Sequence, residues 1–138
     1  MNGDDLMTRI DAEIRAQGAV PPALVYLGSP YAGQGESRRE READTDRNVR
    51  FALLMAEHIA SLGWTPIVPH LMLPRYLDDS IPAQRELGLL AGRRLMMACA
   101  AAIFFIPPWR DGPSEGMKAE IDAWRSRPRL PLVFPVTE

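Results

Sequence analysis

Apolar residues recur along this chain in two alternating rhythms. Short runs rich in β-formers read as strands: "ALVYLGSPY" stopping at Gly28, "WTPIVPH" (64–70), "AAIFFI" (101–106) and "LPLVFPV" (130–136). Between them, apolar residues return every three or four positions, the spacing of a helix with one buried face. Leu6, Ile10 and Ile14 mark an N-terminal helix over 4–17, inside the segment 1–20, with Gly18 after its end. Val49, Ala52, Leu53, Ala56, Ile59 and Ala60 form the inner face of a helix from about Asp46 to Leu62. A third helix, roughly 82–98, is entered through Ser80 and Pro82 and buries Leu87, Leu90, Ala91 and Leu95. Met117, Ile121 and Trp124, at i, i+4 and i+7, set the stripe of a last helix that begins near Pro113 and Ser114. The stretch 32–46 contains glycine and is dense in charge, so it reads as an exposed, mobile loop.

Strands alternating with helices predict an α/β fold. The expectation is a single doubly wound domain of flavodoxin or Rossmann type, with a mostly parallel sheet of four to five strands and helices on both faces. A chain of 138 residues has room for one core. In such sheets ligands bind beyond the carboxyl ends of the strands. Those ends are "GSPY" (28–31), "PHL" (69–71) and "PPWRDGPSEG" (107–116).

Composition narrows the partners. The formal net charge is −2, which gives no basic surface for nucleic acid. No apolar run approaches the roughly 18 residues of a membrane span, and the N-terminus is acidic rather than signal-like. Cys99 is the only cysteine, so an intramolecular disulfide is excluded and a reducing cytoplasm is the expected compartment. His58 and His70 lack ligand spacing, so no metal site is expected.

Several motifs fail as chemistry. Gly28 and Gly33 stand at P-loop spacing, but Gln34 and Gly35 occupy the positions of the phosphate-gripping lysine and the magnesium-binding hydroxyl. Ser29 and Ser114 lie at strand ends without a nucleophile-elbow context, and Ser114 reads as a helix cap. His70, at a strand's carboxyl end, is a candidate for lining a site. Glu120 stands apart. It sits in the apolar stripe of the last helix, and Gly116, one turn earlier on nearly the same face, leaves space for a ligand against its carboxylate.

"VYLGSPY" as strand one, "PHL" after strand two and "SEGMKAE" opening the late helix resemble the nucleoside 2-deoxyribosyltransferase family and its nucleotide N-glycosidase relatives, most of all a small, often phage-associated branch. The likeness covers about residues 23–135. It implies that Glu120 attacks the anomeric carbon of a nucleoside or nucleotide and expels the base. A covalent glycosyl ester would form, which water or a second base resolves. Tyr26 matches a tyrosine that orients the nucleophile. Gly28, Ser29, Pro30, Tyr31, His70, Ser114, Gly116 and Met117 fall in the matching motifs as substrate contacts, and Asn48 matches a position that is often polar. Ser114 stands where transferases of free nucleosides carry aspartate, and serine there implies a 5′-monophosphate substrate. Many members carry an acid before the third strand that helps protonate the base, whereas this chain has Ala100; Asp111 is the candidate to replace it. The resemblance also implies a homodimer or higher homo-oligomer. A nucleotide-binding module without catalysis is the other reading, favoured by Ala100. In a third, structural reading, Glu120 merely pairs with an arginine.

Overall fold

The computed structural model describes residues 3–125, 127 and 132–136. The chain runs α1 (Gly3–Ala16), β1 (Leu24–Gly28), α2 (Arg38–Ser61), β2 (Thr65–Ile67), α3 (Pro82–Met97), β3 (Ala101–Ile106), α4 (Glu115–Trp124) and β4 (Leu132–Pro135). Two short 3-10 turns, Pro69–Leu71 and Leu73–Arg75, lie between β2 and α3. The strands form an open sheet in the order β2-β1-β3-β4. Every neighbouring pair is parallel, with Tyr26 opposite Ile67 on one side and Ala102 on the other. The expected α/β architecture with a parallel sheet is therefore present.

Period-two alternation along β1 and β3 splits the core into two layers. Val25, Leu27, Ala101, Ile103 and Phe105 pack with Ile10 and Ile14 of α1 and with Phe51, Met55 and Ile59 of α2. Tyr26, Ala102, Phe104 and Ile106 point the other way, toward Met96 of α3 and Met117 and Trp124 of α4. Tyr26 thus faces the helix that carries Glu120. Gly28 ends β1 against the Phe104 ring, where a Cβ would collide with the ring carbons.

Three expectations need correction. Residues 38–46 are helical, not loop: α2 begins eight residues before Asp46. Ser37 caps it, its Oγ accepting from the Glu40 N–H at 3.0 Å, and Glu40 reaches back to the Glu36 N–H. This reciprocal cap offsets the crowded charge that made the segment look like loop. Within α2 the buried face is also rotated, comprising Asp44, Asn48, Phe51, Ala52, Met55 and Ile59, while Leu53 is exposed. In α3, Leu87 and Leu90 are 54% and 49% exposed instead of buried. Ala91 and Leu95 are half-buried, and Met96 is the residue of α3 that enters the core. Among the described residues, no helix is long and apolar enough to cross a membrane.

Candidate functional site

β1 lies between β2 and β3, so the chain's crossovers diverge on either side of it and leave a crevice beyond its carboxyl end. A cavity of about 200 Å³ opens there. Its floor is Tyr26 of β1 and Glu120 of α4, and the Tyr26 hydroxyl donates a short hydrogen bond to Glu120 Oε2. Two alternations create this pairing: the strand's period of two turns Tyr26 toward α4, and the helix's period turns Glu120 and Gly116 toward the sheet. Burial, opposed by the Tyr26 hydrogen bond, holds the Glu120 carboxyl above its ordinary range. The Tyr26 phenol is pushed further above its usual value, first by burial and then by the adjacent Glu120 charge. It therefore stays protonated and acts as a donor. Among the described residues no cation pairs with Glu120, and its Oε1 accepts no hydrogen bond.

The loops after β1 and β2 supply one wall. Tyr31 and His70 line the cavity with their rings tilted against each other, centroids 5.8 Å apart. Ser29 Oγ lies 3.2 Å from His70 Nε2 and fixes the imidazole from behind. Burial lowers the His70 pKa to about 4, so the ring is neutral near pH 7. Helix α3 supplies the opposite wall through Gly88, Leu89, Gly92 and Arg93. A Cβ on Gly92 would meet nothing within 4 Å, because that side of the helix faces open space.

Of the sequence candidates, Glu120, Tyr26, Tyr31, His70 and Gly116 converge on the cavity. The others serve around it. Met117 is buried in the core, Gly28 packs on Phe104, and Pro30 is buried without lining the cavity. Ser114 accepts from the Met117 N–H at 3.3 Å as the α4 cap and does not line the cavity. Asp111 is exposed on the turn before α4, outside the cavity lining.

Asn48 has a structural task. Fully buried, it donates to the Tyr31 carbonyl at 3.1 Å and accepts from Trp109 Nε1 at 3.0 Å. One turn earlier, Asp44 accepts from the Gln34 N–H and pairs with Arg110 at 2.7 Å and Arg47 at 2.6 Å. Burial opposes ionisation of Asp44, but these partners outweigh it and hold the carboxyl below the usual range. Gly33 belongs to the same junction, its Cα pressed against the Arg41 carbonyl so closely that a Cβ would collide. The loop after β3 is thus latched to the loop after β1 and does not border the cavity.

The α3 wall and Asp79, which also lines the cavity, are not among the candidates that the sequence points to. The glycines at i and i+4 were a usable signal: each costs a helix about 1 kcal/mol, so a pair on one face points to space or close approach.

No curated protein and no solved structure matches this chain. A family model does match, over residues 23–131. The chain belongs to the family described as a domain of unknown function, DUF7768.

Proposed function

We propose that this protein is a nucleoside 2-deoxyribosyltransferase-like enzyme of Rossmann-like, doubly wound architecture. It cleaves the N-glycosidic bond of a nucleotide or nucleoside through Glu120 and passes the sugar to water or to another base. The observation that carries the reading is the Tyr26–Glu120 pair on the floor of the cavity, beside Gly116 and without a counter-cation. A carboxylate held only by a neutral hydroxyl keeps its nucleophilicity, and Tyr26 fixes Oε2 so that Oε1 faces the anomeric carbon. A carboxylate also stabilises the oxocarbenium-like charge that develops there. Metal and organic cofactors have no part in this reading.

The α3 wall bears on the substrate. Arg93 lines the cavity and has no acidic partner among the described residues, which suits a substrate that carries an anionic 5′-phosphate. Leu87, Leu90 and Met97, exposed on one stripe of α3, support a homo-oligomer, with the cytoplasm as its compartment. Light scattering should then give at least twice the monomer mass and Leu90→Glu should halve it; a monomeric parent chain removes the oligomer.

The deciding experiment is chromatography for free base, with ribo- and deoxyribonucleosides and their 5′-monophosphates. We expect base release that falls by about 10³-fold or more in Glu120→Ala. Ligand-dependent thermal shifts without base release would leave a binding module, the reading that Ala100 favours. Neither binding nor release would leave Glu120 a structural residue.

A further inference from the structure

We infer that Asp79 is the proton donor to the departing base, an assignment that rests on the glycosidic reading above. That reading leaves a chemical gap. The base departs with the electron pair of the C1′–N bond and needs a proton, yet Ala100 carries no acid and Asp111 lies outside the cavity.

Asp79 is the second carboxylate of the cavity lining. Its turn is fixed by its neighbour: Asp78 Oδ1 accepts from the Ser80 N–H at 2.9 Å and the Ser80 hydroxyl at 2.6 Å, while the Asp78 N–H donates to Gln84 Oε1 at 2.7 Å. Asp78 is consumed by that turn. Asp79 is exposed at the cavity rim and has no hydrogen bond or ion pair among the described residues.

Its position also gives a direction. The cavity adjoins a wider, shallower concavity of about 490 Å³, and Tyr31, Pro74 and Asp79 border both. Glu120, Tyr26 and Gly116 line the first space alone. A sugar seated against Glu120 therefore projects its base toward the shared rim, where the Tyr31 ring offers a stacking face and Asp79 a carboxyl.

The proton balance closes. In the first step a Glu120 oxygen bonds to C1′, the C1′–N pair moves to the base nitrogen, and the Asp79 carboxyl gives that nitrogen its proton. In the second, water attacks C1′, the ester pair returns to Glu120, and the Asp79 carboxylate takes the water's proton.

The test compares two leaving groups in Asp79→Asn. 2′-Deoxyadenosine and its 5′-monophosphate need a proton on the base; the matching 4-nitrophenyl glycosides expel a stable phenolate and need none. We expect adenine release to fall about 10²-fold or more while nitrophenolate release changes less than about threefold, with Asp79→Glu recovering part of the adenine rate. Equal losses on both probes would reduce Asp79 to shaping the site, and no loss on either would exclude it. A parent protein active on both probes, with Asp79→Asn unaffected, overturns this assignment alone. A parent protein inert on both overturns the Glu120 reading, and this assignment with it.

Discussion

Glu120 and Asp44 are both carboxylates withdrawn from water, and the protein treats them in opposite ways. Asp44 is surrounded by a backbone N–H and two guanidinium groups, Arg47 and Arg110, and its carboxyl is held below the ordinary range. Glu120 has a single neutral donor, Tyr26, and its carboxyl is held above the ordinary range. Saturating a buried carboxylate turns it into a fastener between chain segments. Leaving it with one uncharged partner, in a cavity, leaves Oε1 without a partner among the described residues. The difference separates a fastener from an unsaturated carboxylate within one fold.

The largest way to break this comparison is Asp44→Asn. It removes the charge that Arg110 needs, and Arg110 is itself almost fully buried at 9% side-chain exposure. Stability should drop by about 2 kcal/mol, below the roughly 3–5 kcal/mol of deeply buried pairs because Arg47 remains half in water. Urea denaturation at neutral pH reads this directly. The effect has a pH sign. Because the folded pKa of Asp44 is depressed, its contribution is present above the unfolded value and vanishes as pH falls through the folded one. The gap between parent and variant should therefore close in acid.

Glu120→Gln should act more weakly and in the opposite direction. The raised folded pKa means that ionising Glu120 costs stability, a cost absent below its unfolded pKa and fully felt once pH has risen through the folded one. At neutral pH the variant should melt a few degrees higher than the parent, and below about pH 4 the two should coincide. A variant that melts lower at neutral pH would mean that Glu120 is a fastener like Asp44, and the contrast between them would be lost.

How much of this was legible follows from the physics of each signal. The strands were readable because Leu24–Gly28 and Ala101–Ile106 are apolar runs too short for helices and closed by glycine or proline. Glu120 and Tyr26 were readable because a charge in an apolar stripe and a tyrosine in a buried strand break a local pattern. The start of α2 is hidden by the charge density of 38–46, although Ser37 and Glu40 carry the spacing of a reciprocal cap. Leu87 and Leu90 were misplaced because periodicity identifies a stripe but not what covers it. The latch through Asn48 and Asp44 had no sequence signal, since its partners, Trp109 and Arg110, lie more than 60 residues along the chain. Asp79 was hidden for a similar reason, as only the fold shows which acid of the Asp78–Asp79 pair its own turn consumes.

The glycine pair of α3 has a further consequence. With Gly92 facing empty space, nothing in the packing prohibits an alanine there, and an alanine would relieve the helix of about 1 kcal/mol of backbone entropy. Helix α3 thus forgoes stability that lies one methyl group away, and what it keeps in exchange is the width of the cavity. If the cavity holds substrate as proposed above, position 92 is a place where thermostability and substrate size trade against each other, and a selection for either alone would push that residue in opposite directions.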